Sequence, residues 1–144
     1  MRLKNYTDVS SDWIRWCIRA VRPGGIGNFD VRVSNTQRGR TASGRAYHAG
    51  SAYHDRADPF IVIRLAPPSR FKATRIAGNG GYLPHTLGSR QEALLFLLAH
   101  ELRHLWQANY SRGMVYGSRG RFSERDADAY ALHMLRRFRR GELV

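Results

Sequence analysis

Ser89-Arg-Gln-Glu-Ala-Leu-Leu-Phe-Leu-Leu-Ala-His100-Glu101-Leu102-Arg103-His104-Leu-Trp-Gln-Ala-Asn109 is the stretch that decides the fold. Wound at about 100° per residue, it spreads Leu94, Leu95, Leu98, Ala99, Leu102, Leu105 and Trp106 over a broad arc and confines Glu92, Arg103 and Gln107 to a narrow strip. The pattern predicts a long, largely buried helix. With His100 set at zero, His104 falls near about 40° and Glu101 near about 100°, on the flank between the apolar arc and the polar strip. Two imidazoles four residues apart project from one helix face at metal-chelating separation. Glu101 is turned away from them, so it can stay off a bound metal and still reach a water held there, as a general base must. Ala93, Phe96 and Leu97 continue the same flank toward the N-terminus, as the floor of a cleft or as ordinary packing.

Residues 124–140 predict a second helix, with Ser123 as N-cap, Asp126 completing a capping box and Gly141 as its stop. Its core stripe is Ala127, Ala131, Met134, Leu135 and Phe138, while Arg125, Arg136 and Arg140 face away and His133 lies opposite Glu124, exposed. Glu124 follows His104 by 20 residues, and Asp128 lies one turn further along, both flanking the inward stripe. A carboxylate directed inward needs a partner, and a metal is one. Glu124 is the predicted third ligand, with Asp128 its nearest competitor. Asp128 otherwise accepts the free ring N–H of a metal-bound His. A plain helix-terminus preference for acids accounts for Glu124 and Asp126 but poorly for Asp128, beyond the first turn.

The remaining features set bounds. A chain of 144 residues suits one compact domain, residues 1–144, whose core needs no covalent staple. Cys17 is the only cysteine, which excludes an intrachain disulfide and a thiolate cluster, so a zinc ion would be held by His and carboxylate. Residues 1–11 carry no secretory apolar run and no segment is long enough to span a bilayer, so a cytoplasmic protein without a membrane partner is expected. The oligomeric state leaves no mark. The formal charge is +13, and every basic residue except Lys4 and Lys72 is Arg. Such an excess concentrates polyanions around a protein, whether nucleic acid or an acidic protein, unless it is simply a solvated surface. Ser10, Ser11 and Asp12 open an N-terminal helix carrying Trp13, Ile14, Trp16, Cys17, Ile18 and Val21, which Arg22-Pro23-Gly24-Gly25 ends. Strands are predicted at 29–33, 45–48 and 60–65, the third being the most strongly β in composition. The glycines at 24–27 and 78–81 lack the Gly-Lys-Ser/Thr of a phosphate loop and read as turns. The class is α+β.

His100-Glu101-x-x-His104 followed by Glu124-x-x-x-Asp128 resembles the gluzincin zinc metallopeptidases, among them thermolysin-like enzymes, and the order of elements is similar to ImmA/IrrE-type peptidases. The likeness covers residues 60–135, with Arg103 standing where those families commonly have Gly. It implies a compact zincin-like domain: a small twisted sheet, a buried motif helix and a C-terminal helix carrying the third ligand. It also implies Zn2+ held by His100, His104 and Glu124, Glu101 as general base in peptide hydrolysis, and a Tyr or His that stabilises the oxyanion. Tyr116 is the first candidate for that role, before Tyr110 and Tyr82. His48, His54 and His85 are read as outside the site. Strand 60–65 is either the edge to which an extended protein or peptide substrate adds, or a core strand. Two other functions compete: hydrolysis of a non-peptide amide or ester, and a basic nucleic-acid-associated protein with a structural or subordinate zinc site.

Overall fold

The computed structural model describes residues 1–37, 41–47, 58–76, 85–110 and 124–143. Strand β1 (Leu3–Asn5) leads into helix α1 (Ser11–Val21), and β2 (Asp30–Asn35), β3 (Ala42–Tyr47) and β4 (Phe60–Leu65) follow. A small pair, β5 (Thr74–Ile76) and β6 (His85–Leu87), precedes the 21-residue helix α2 (Arg90–Tyr110), and α3 (Glu124–Arg139) is the C-terminal helix. The Ser10 hydroxyl accepts from the Trp13 N–H and caps α1. Gly141, at φ +70°, ends α3: its N–H reaches the Phe138 carbonyl at 3.0 Å while Glu142 N–H reaches that of Arg137 at 2.9 Å. This is the paired 5→2 and 6→1 closure that needs a left-handed residue.

The four-stranded sheet has the order β1-β2-β4-β3. β1, β2 and β4 run parallel, and β3 lies antiparallel to β4, so the sheet is mixed. One face carries Val31, Val33, Ile61, Ile63 and Leu65, all buried, and packs on Leu94, Leu95, Leu98 and Leu102 of α2 and on Ile14, Cys17, Ile18 and Val21 of α1. Each such fully buried aliphatic contributes roughly 1.5–3 kcal/mol. α3 adds Ala131, Leu132 and Leu135 to the same core. The Cys17 thiol is pushed up by burial and is no nucleophile. No helix among the described residues is long and apolar enough to cross a membrane.

Two of the three predicted strands shift their bounds, and the third takes the core alternative of the two left open for it. Strand 29–33 sits one residue later and extends to Asn35, and strand 45–48 begins earlier, at Ala42. The strand at 60–65 is an interior strand, bonded to β2 on one side and β3 on the other. The edge strands of the sheet are β1 and β3.

Candidate metal centre

Helix α2 starts where Ser89 Oγ accepts from the Glu92 N–H at 3.1 Å and Glu92 Oε1 accepts from the Gly88 N–H at 2.9 Å. Arg139 donates to both Glu92 oxygens at 2.9 Å and to the Thr86 carbonyl, tying the end of α3 to the start of α2. Two turns further along, the apolar arc of α2 gives way to buried His100, Glu101 and His104. Among the described residues these three, Glu101 included, have ligand atoms that all lie within 4.8 Å of one another, close enough to share a metal ion.

The imidazoles point their Nε2 atoms at each other, 3.2 Å apart. The carboxylate of Glu124, first residue of α3, spans them, with Oε2 at 3.0 Å from His100 Nε2 and Oε1 at 2.9 Å from His104 Nε2. Donors about 2.0–2.1 Å from a tetrahedral zinc lie roughly 3.3 Å from one another, so these separations already approach those of a shared ion. Two imidazoles and a carboxylate are also a donor set that zinc accepts. The site is a pit with an open roof: the histidines are buried, but the Glu124 side chain is 68% exposed. The expected inward-facing glutamate is instead a bridge across the mouth.

The electrostatics agree with the donor set. Burial pulls the His100 pKa down, yet Asp128 and Glu124 outweigh it and raise the group to about 10. His104 is raised in the same way, burial being outweighed by Glu124 and Gln107. Hydrogen bonds from both histidines hold Glu124 well below the usual carboxylate range. A pit that retains protons on imidazole is one of negative potential, which also suits a divalent cation, one that would have to displace those protons to bind.

Other groups fix the two rings. Asp128 Oδ1 lies 2.9 Å from His100 Nδ1, off the line of a straight hydrogen bond. On the far side of His104, Nδ1 lies 3.0 Å from Gln107 Oε1, and Gln107 Nε2 donates to Asp126 Oδ2 at 3.0 Å. Arg103 donates to both oxygens of Asp126, at 2.7 and 3.1 Å, with its guanidinium 3.8 Å over the Trp106 ring. Sequence reasoning missed Gln107 and Asp126. It placed Gln107 on a solvent strip, whereas its side chain is fully buried. The available signal was spacing: Gln107 is three residues after His104 and four after Arg103, one turn away from both. Gln107→Ala is expected to weaken zinc binding by about 10–100-fold, since the ring it orients would lose its fixed tautomer. Competition with a chromogenic chelator measures this, and unchanged affinity would remove Gln107 from the site.

Glu101 stands apart from the bridged pair, its Oε1 3.9 Å from His100 Nε2. Burial raises its carboxyl above the ordinary value against the pull of the two imidazoles. The side chain lies against Gly44 of β3. A Cβ on that glycine would sit 3.1 Å from Glu101 Cγ and 3.3 Å from Oε1, closer than side chains comfortably pack. Toward the N-terminal end of α2, Ala93, Phe96 and Leu97 line a cavity of about 300 Å³ together with Thr41, Ala42 and Leu87. His85 packs its ring on Phe96, at 4.9 Å between centroids, and is not in the metal-sharing group. Tyr116, Tyr82, His48, His54 and Ser123 lie outside the described residues, as does the side chain of Tyr110. Compared with family models, curated proteins and solved structures, the chain matches none. The likeness to gluzincins rests on the motif residues and the order of elements.

Proposed function

We propose that this protein is a zinc-dependent metallopeptidase. The observation that carries the reading is the separation of roles in the pit. His100, His104 and Glu124 lie within 3.2 Å of one another, while Glu101, buried on the same helix and within the same metal-capable group, sits farther out, its Oε1 3.9 Å from His100 Nε2. In this reading His100, His104 and Glu124 hold Zn2+. When bound, the ion polarises a substrate carbonyl and makes water acidic enough to deprotonate near neutral pH. Glu101 accepts the water's proton on its carboxylate and returns it to the leaving amine. Its raised pKa suits both halves of that transfer. Asp128 and Gln107 keep the imidazoles turned so that their Nε2 lone pairs face the pit.

The surroundings favour a peptide over other amides and esters. β3 is an edge strand beside Glu101, so an extended chain can add to it by main-chain hydrogen bonds. Ala42 of the same strand lines the apolar cavity, which offers a place for one substrate side chain. The test combines metal analysis of the purified protein with hydrolysis of an unfolded protein such as casein. One zinc per chain is expected, with cleavage abolished by a zinc chelator and restored by equimolar zinc. Cleavage that survives complete metal removal would sink the proposal.

A further inference from the structure

The helices cover one face of the four-stranded sheet, and the other face has a character of its own. Strand register aligns Lys4, Arg32, Val62 and Arg45 in one row across all four strands. A second row brings Asp30, Phe60 and Tyr47 side by side, the two rings stacked at 4.5 Å, and a third places Arg64 between Ser34 and Ser43. Strands about 4.8 Å apart make this a patch roughly 15 Å wide. Lys4, Arg32, Arg45 and Arg64 are all exposed. Tyr6, just past β1, is 58% exposed, with the Arg32 guanidinium 5.3 Å from its ring. Lys4, Tyr6, Arg32, Phe60 and Val62 frame a shallow hollow. Among the described residues no carboxylate lies within ion-pair distance of Lys4, Arg32 or Arg64, and the acid in the patch, Asp30, is engaged by Arg2.

We propose that this outer sheet face binds single-stranded nucleic acid. The exposed cations match a phosphate backbone, and the interleaved aromatic rings match unpaired bases, which every base can offer through its π-face. A duplex keeps its bases stacked on each other and would leave the rings without a partner. An acidic protein would use the charge and not the rings. The face lies behind the metal centre: Gly44 touches Glu101 on the inner side of β3, whereas Arg45 and Tyr47 belong to the outer side. Bound nucleic acid therefore does not compete with a substrate in the pit, and the inference stands whether or not the protein is a peptidase.

The test uses the full chain and a fluorescent oligothymidylate of about 15 nucleotides, long enough to cross the whole surface, titrated by anisotropy at several salt concentrations. Binding is expected to weaken linearly in log salt. Lys4→Ala with Arg32→Ala should flatten that slope by about 1.4, the share of two phosphate contacts on a single strand. Tyr6→Ala should weaken binding about tenfold at an unchanged slope, with Tyr6→Phe restoring it. Unchanged zinc content shows that the variants are folded. Absence of binding, a slope indifferent to Lys4 and Arg32, tighter binding to duplex of equal length, or equal affinity for poly-glutamate would each overturn the proposal.

Discussion

Glu101→Gln is expected to retain zinc and to lose at least about a hundredfold in peptide hydrolysis, the low end of what a positioned general base supplies. Glutamine has the shape of glutamate, so it fills the space against Gly44 and leaves His100, His104 and Glu124 where they are. It has no basic oxygen to take a proton from water. Metal analysis and kcat on the same preparation separate the possibilities. Zinc lost together with activity would make Glu101 a ligand, and full activity with zinc bound would move the base elsewhere. Gly44→Ala probes the same carboxylate from the other side. The new methyl group would stand 3.1 Å from both Glu101 Cγ and Ile63 Cδ1, so the carboxylate must shift. The expected signature is a fall in kcat with metal content unchanged, because misplacing a proton acceptor by a fraction of an ångström affects the reacting geometry more than binding.

Glu124→Ala should lose metal far more completely than Asp128→Ala, although the two acids are one helical turn apart. Zinc held by four ligands in small domains is worth about 10–16 kcal/mol, so an even share is about 2.5–4 kcal/mol, or roughly 60- to 800-fold in affinity. Glu124 reaches both Nε2 atoms, and its removal takes away the bridge that makes the two imidazoles one site. Asp128 reaches Nδ1 of His100, the ring nitrogen facing away from the pit. Loss of such an orienting contact costs about 10–100-fold. His104→Ala should match Glu124→Ala. Equal losses for Glu124 and Asp128 would refute this division of labour.

The helix that carries the motif was legible because two independent codes overlap in it. A 3.6-residue apolar period fixes its burial, and a four-residue spacing fixes the histidine pair. Asp128 was legible as an acid on the inward ridge of a second helix, and Glu124 by its place one turn before it, although its exposed side chain bridges the imidazoles from the surface. What stayed hidden was whatever tertiary pairing decides. β1 is three residues, Leu3-Lys4-Asn5, with no period of its own, and is a strand only because β2 offers it a parallel edge. The position of β4 inside the sheet depends on which strands reach it, and composition records only that it is buried. Gln107 looked solvent-facing because an uncharged amide on a helix flank carries no sign of the partner that will cover it. That partner is Asp126, on another helix.

Helix α2 is at once the central beam of the core and the bed of the pit, since Leu98, Leu102 and Leu105 alternate along it with His100, Glu101, His104 and Gln107. Four polar side chains on a beam otherwise made of leucine are an outlay that folding alone would never select. Leucine at those positions would pack without desolvating a charge and would lift the fold's stability. Heat resistance and the polar cluster thus compete for the same two turns of one helix. Selection for a tougher variant of this protein would run first through the residues that make it worth having.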